Sequence, residues 1–211
     1  MRKPRPLTRE LGSLRDDRLF IVACDDQYAP KQYFNFLRLP RIQVHVVETQ
    51  DGKNSAAHVL ERLMSYKHDD DDELWMLLDT DHYITATHLA GFSQAIKEAK
   101  QKGVNVALSR PCFELWLLLH HLDESHANSL ENAKRVEQML REKLGEYNKT
   151  KLKPEHYPRT AIAEASKRAA RLDQTVSGGD IPSAATTRVY LCDQLHHLKT
   201  THLAAALRTP H

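Results

Sequence analysis

This sequence predicts an α/β fold, a parallel sheet flanked by helices with a helical C-terminal extension. Two apolar runs, Leu19–Phe20–Ile21–Val22–Ala23–Cys24 and Trp75–Met76–Leu77–Leu78, end abruptly in carboxylates, Asp25–Asp26 and Asp79–Thr80–Asp81. Apolar runs of this length without polar alternation read as strands buried on both faces, as in parallel sheets. Strand-like and helix-like segments then alternate as far as about residue 125, the pattern of βαβ units.

Residues 1–18 read as a basic tail draped on the surface, residues 19–125 as the α/β domain and residues 126–211 as the helical extension. Leu19–Cys24 is the first strand. After Pro30, Lys31 to Leu39 forms a helix with Phe34 and Leu37 inward. Ile42–Val47, rich in β-branched residues, is the second strand. Asp51–Gly52 marks a turn, and Ser55 caps a helix through Tyr66 on an apolar face of Val59, Leu60 and Leu63. Leu74–Leu78 is the third strand. Thr85 to Lys102 is a helix closed by Gly103. Val104–Leu108 is the fourth strand, and Phe113 to His121 an apolar helix. Beyond it the pattern turns all-helical: Leu130–Leu144, Thr160–Leu172, a break at Gly178–Gly179–Asp180, then Thr187 to about Ala206.

At 211 residues and 41% hydrophobic, the chain suits one domain with an elaboration, or two small ones. No apolar stretch approaches the roughly 20 residues that span a bilayer. The charged start, Met1–Arg2–Lys3–Pro4–Arg5–Pro6, has no apolar signal region behind it, so a cytoplasmic protein is expected. The three cysteines, Cys24, Cys112 and Cys192, lack any CxxC and suit neither a disulfide framework nor a thiolate metal site. With 30 basic and 28 acidic residues, the net charge of +2 does not announce nucleic-acid binding. Arg2, Lys3, Arg5 and Arg9, and later Lys149, Lys151, Lys153, Arg159, Lys167, Arg168 and Arg171, form patches that could hold phosphates or simply be solvated surface.

The chemistry concentrates at strand tips. In open parallel sheets the functional crevice lies at the carboxyl ends of the strands. Side chains alternate along a strand, so Asp79 and Asp81 point the same way and Thr80 the other. Together with Asp25 they can bring three carboxylates to one place, tolerated mainly where a cation neutralises them. All-oxygen ligands select Mg²⁺, Mn²⁺ or Ca²⁺. The bland alternative is a pair of turn or capping aspartates. Alternation also sets Asp26 apart from Asp25.

After the fourth strand comes Ser109–Arg110–Pro111–Cys112–Phe113–Glu114–Leu115–Trp116. Glu114 is either ordinary first-turn helix chemistry or a further ligand or general base. Arg110 could hold a phosphate, whereas Cys112 reads as packing. His82, next to the acidic pair, could bind phosphate or relay a proton, or simply be exposed. The acidic run Asp69–Asp72 precedes the third strand, on the opposite edge, and reads as a solvated loop. His120–His121 and His196–His197 read as surface residues on helices. No HExxH, P-loop or GxGxxG occurs, so the chain is not expected to be an NTPase itself.

The segment Arg110–Pro111–Cys112–Phe113–Glu114–Leu115–Trp116–Leu117–Leu118–Leu119–His120 closely resembles the signature of RloB-like proteins, small Toprim-type proteins of bacterial restriction-linked and abortive-infection loci. Leu77–Leu78–Asp79–Thr80–Asp81–His82, Ile21–Val22–Ala23–Cys24 with Tyr33–Phe34, and more faintly Thr186–Thr187–Arg188–Val189–Tyr190 follow in the family's order. The resemblance implies a Toprim-like parallel sheet, an acidic residue after the first strand and an acidic pair after the third. Topoisomerases, primases and OLD-type nucleases share that arrangement and use Mg²⁺ for phosphoryl transfer. The residue after the first strand is usually glutamate in such proteins, and here Asp25 stands in. A shift of about 1 Å in a catalytic group can cost a hundredfold in rate, so weak activity or a need for Mn²⁺ would follow.

The resemblance thus implies an Mg²⁺- or Mn²⁺-dependent nuclease in anti-phage defence, acting on DNA or tRNA. Asp79 and Asp81 would hold the metal, with Asp25 as third ligand or general base and Arg110 or Lys149 on the phosphate. It also implies a partner ATPase of the AAA type encoded nearby. No membrane partner is expected, and homo-oligomerisation stays open. The rival is a non-catalytic Toprim scaffold that binds an ATPase or nucleic acid, for which the aspartate at position 25 is the best support. A nucleotide-sugar transferase or a phosphatase using the Asp-x-Asp pair does not fit the Pro111–Trp116 segment.

Overall fold

The computed structural model describes residues 19–37, 43–47, 54–70, 72–81, 83, 86–130 and 132–192. The expected N-terminal tail, the turn at Asp51–Gly52, His82, His196–His197 and most of the last expected helix lie outside them.

Five strands form one sheet in the order β2-β1-β3-β4-β5. The strands are β1 (Leu19–Cys24), β2 (Gln43–Val47), β3 (Glu73–Asp79), β4 (Asn105–Arg110) and β5 (Thr186–Thr187). The first four run parallel, and β5 is antiparallel to β4. The helices are α1 (Ala29–Leu37), α2 (Ala56–Ser65), α3 (Ala86–Gln101), α4 (Glu114–Leu119), α5 (Ala133–Leu144) and α6 (Arg159–Gln174).

Strand alternation divides the core in two. Leu19, Ile21 and Ala23 of β1 with Leu74, Met76 and Leu78 of β3 pack under α2 and α3. Phe20, Val22 and Cys24 with Trp75 and Leu77 pack under α1, α4, α5 and α6. Both faces of β1 and β3 are therefore covered, which explains their unbroken apolar sequence. Helix α1 leaves β1 on one face, while α2 enters β3 and α3 leaves it on the other. The β1–β3 boundary is thus the point where the winding of the sheet reverses, the usual place for a crevice.

Several elements depart from expectation. Helix α1 begins two residues early, because Asp26 Oδ1 accepts the Tyr28 and Ala29 N–H groups at 2.6 and 3.3 Å and Pro30 suits a first turn. Helix α4 is the apolar helix expected, and all six of its residues, Glu114 included, are buried because α5 and α6 cover it. The C-terminal segment is not all-helical. Thr186 and Thr187 return to the sheet, pairing with Arg110 and Ser109, and lengthen β4 to Arg110. Helical residues resume only at Tyr190. Gly178 has φ +116°, and a Cβ there would meet the Ile181 carbonyl oxygen at 2.4 Å, so the break needs glycine.

His120 is buried rather than on the surface; its Nε2 lies 3.1 Å from the Tyr33 hydroxyl. Burial, helped by His121 and Arg168, pulls its pKa from 6.5 down to about 3. Asp72 accepts the Leu19 N–H at 2.9 Å, pinning the start of β1. Asp72 therefore serves the sheet's far edge, at the entrance to β3.

Candidate active site: an acidic cleft at the strand tips

The C-terminal ends of β1 and β3 open into a cleft of about 260 Å³. Its described lining includes six carboxyl residues, Asp25, Asp26, Asp79, Asp81, Glu114 and Glu137, against one cation, Lys149. Such an excess of one sign makes the cleft a place for positive charge.

The floor is held by backbone. Asp25 N–H reaches the Leu77 carbonyl at 3.4 Å. The Asp25 carboxylate in turn accepts the Asp79 N–H on Oδ2 at 2.9 Å and the Asp26 N–H on Oδ1 at 3.0 Å. One side chain thereby ties the tip of β1 to the tip of β3. On the other side, the Pro111 carbonyl accepts the Thr80 and Asp81 N–H groups, both at 3.1 Å, fixing Asp81 against the tip of β4. Thr80 is buried away from the cleft, as strand alternation requires.

Burial drives the electrostatics. Asp25 is 8% exposed. Desolvation, partly offset by the two backbone donors and augmented by Asp26, pushes its carboxyl from 3.8 up to about 7. Asp79 is raised well above the ordinary range by burial and then by Asp25, Glu114 and Asp81. Glu114 is raised by burial and by Asp26, while the Tyr147 hydroxyl, donating to its Oε1 at 2.9 Å, holds it back. Burial works against charge on Lys149, but Asp26 and Glu114 outweigh it and raise its pKa. Its ammonium stands 3.7 Å from Asp26 Oδ2. Cys112 is pushed well up by burial and by Glu114, so it is a thiol, not a thiolate nucleophile.

Of the residues singled out in sequence, Asp25, Asp79, Asp81, Glu114 and Lys149 share this cleft. Asp26 joins them, because the chain bends after Cys24 and strand alternation stops there. Arg110 does not line it: its guanidinium donates to the Pro182 carbonyl at 2.9 Å. Most of the late basic residues have acidic neighbours. Lys153 pairs with Glu146, Arg171 with Glu124, and Lys167 with Glu164 at 3.7 Å. Tyr28, Tyr83 and Asn54 also line the cleft, and Tyr147 reaches Glu114 from beside it, with no motif in the sequence to mark any of them. Tyr147 lies in a loop just past Gly145, the left-handed cap of α5, and no sequence spacing links it to Glu114.

Among the described residues, no group of three or more His, Cys, Asp or Glu side chains is arranged to hold a metal ion. The donor chemistry nevertheless fits a hard cation. Mg²⁺ keeps most of its water and takes one or two carboxylates plus substrate phosphate oxygens. Asp79 and Asp81 could supply two carboxylates, whereas both Asp25 oxygens already accept backbone N–H groups.

Fold and site together define a mostly parallel α/β protein with an acidic crevice where its winding reverses. The RloB-like protein family model matches residues 20–194, and the chain belongs to that family. Comparison with curated proteins and with solved structures returns no match. No helix among the described residues is long and apolar enough to cross a membrane.

Proposed function

We propose that this protein is a Toprim-like, divalent-metal-dependent phosphodiesterase acting on nucleic acid. The observation that carries the reading is the convergence of Asp25, Asp79, Asp81 and Glu114 in one cleft, with Asp25, Asp79 and Glu114 raised first by burial and then by neighbouring carboxyls, Asp26 among them in every case. Buried carboxylates in this number call for a cation. A bound Mg²⁺ or Mn²⁺ would supply Lewis acidity at a phosphoryl oxygen and lower the pKa of a water.

The chain's own residues divide the remaining work. Asp79 and Asp81 offer the metal-facing carboxylates. Asp25, anchored through both oxygens beside Asp79, is placed to accept a proton from the attacking water. Glu114, oriented by Tyr147, adds charge on the α4 side. Lys149, at the rim, meets the substrate phosphate and offsets its repulsion from the acidic floor. A role in anti-phage defence and control by a neighbouring AAA-type ATPase rest on the family resemblance alone.

The test is cleavage of plasmid, single-stranded DNA and tRNA in Mg²⁺ and Mn²⁺ by the wild type and by Asp79→Asn/Asp81→Asn. Metal-dependent cleavage lost in the double variant is expected. Cleavage that survives it would overturn the assignment. The second reading, a binding scaffold, is favoured by the commitment of both Asp25 oxygens to backbone and would be supported by metal binding without cleavage.

A further inference from the structure

The rim of the cleft carries a feature that metal chemistry does not use. Tyr28 lines it and is 45% exposed; among the described residues, only it and Leu89 are large hydrophobics left that open. Single exposed apolar residues are normal on protein surfaces. Tyr28 differs in how it is placed. Its N–H is held by Asp26 Oδ1 at 2.6 Å, and its carbonyl accepts Gln32 Nε2 at 3.1 Å. The same Gln32 nitrogen donates to the Lys149 carbonyl at 2.8 Å, and Gln32 Oε1 accepts the Leu152 N–H at 2.9 Å. One amide thus fastens an aromatic residue and a lysine side by side on the rim. The acidic floor lies behind them.

Aromatic ring, cation and carboxylate floor match base, phosphate and metal in turn. Resting on the phosphodiesterase reading above, the geometry points to Tyr28 as a stacking platform for an unpaired nucleobase next to the scissile phosphate. The substrate class is therefore single-stranded nucleic acid, or a strand with a base turned out of its stack. At about 260 Å³ the cleft falls short of the roughly 300–1,000 Å³ of pockets that enclose a drug-sized ligand. It can take a phosphate and its cation while the base stays outside, against the tyrosine. Inside a duplex both faces of a base are already covered by its neighbours, so stacking on Tyr28 requires unstacking first. Stacking on an aromatic side chain is tolerant of sequence, which predicts little base preference at this position.

The experiment measures binding of a single-stranded oligonucleotide carrying 2-aminopurine, and of its duplex, in Ca²⁺, with the substrate checked for integrity on a gel. Tyr28→Ala should weaken single-strand binding roughly five- to hundredfold, the range of base–aromatic stacking, and relieve quenching of the fluorescent base. Tyr28→Trp should keep both. Duplex binding should be the same for all three proteins. The Tyr28 hydrogen bonds given above are made by its backbone, so the alanine variant should fold, which a melting curve checks. Unchanged single-strand affinity in Tyr28→Ala, or an equal loss on duplex, overturns the inference. If Tyr28→Ala loses single-strand binding while the wild type cleaves nothing in Mn²⁺, stacking stands and the phosphodiesterase reading falls. If the wild type binds neither nucleic acid, both fall.

Discussion

Asp25 makes the electrostatic account quantitative. Its carboxyl titrates near 7 in the folded protein against 3.8 ordinarily. A raised folded-state pKa means that its stabilising contribution is complete below pH 3.8 and is lost as pH climbs through 7. The loss runs at about 1.4 kcal/mol per pH unit from 3.8 upward, so that roughly 2 kcal/mol is gone by pH 5 and roughly 4 kcal/mol by pH 8, where it levels off. Asp25→Asn removes the titration. It also leaves one acceptor for two backbone donors, the N–H groups of Asp26 and Asp79, a penalty of about 1–3 kcal/mol independent of pH. The variant should therefore be close to wild type at pH 5 and more stable than it, by roughly 1–3 kcal/mol, at pH 8. Relief of Asp79, which Asp25 also raises, steepens the same trend. Urea unfolding at fixed ionic strength with a chelator present, at pH 5, 6, 7 and 8, gives the difference curve, in which histidine contributions cancel. A flat curve would refute the crowded-carboxylate reasoning.

Tyr147→Phe deletes the donor to buried Glu114 and should destabilise the fold by about 1.5–3 kcal/mol, as for hydrogen bonds to charged groups, read from denaturant midpoints at pH 8. His120 stays neutral down to about pH 3 when folded, while the unfolded chain takes up a proton below 6.5. Stability is therefore lost as pH falls from 6.5, by about 1.4 kcal/mol per unit, and His120→Phe should flatten that acid limb; an unchanged slope would count against it. Lys149→Gln should reduce the salt slope of single-strand binding by about 0.7, while Lys153→Gln, whose lysine pairs with Glu146, should leave it nearly unchanged.

The strands and the acidic tips were legible because both rest on local pattern. Strands β1 and β3 are apolar on both faces, and Asp25, Asp79 and Asp81 follow directly where the hydrophobic run stops. What escaped depends on contacts distant in sequence. Strand β5 is two residues long, too short for any periodicity, and gains its place only by pairing with β4. Tyr147 meets Glu114 across 33 residues of chain. Arg110 sits at a strand tip like the aspartates, but the returning C-terminal segment offers the Pro182 carbonyl and draws it away. His120 looked like a helix-surface residue because its covering layer, with Tyr157 and Arg168, comes from the C-terminal half. Asp26 was separated from Asp25 by an alternation rule that holds only while the backbone stays extended.

The central claim is that the cleft binds a divalent cation through Asp79 and Asp81. Because Asp25 and Asp79 hold protons at neutral pH more readily than ordinary carboxyls, metal binding should release protons. Titration calorimetry with Mn²⁺ at pH 7, repeated in buffers of different ionisation enthalpy, measures affinity and proton release together. The account predicts saturable binding with net proton release, abolished in Asp79→Asn/Asp81→Asn. No heat at millimolar Mn²⁺, or binding that the double variant retains, would contradict it.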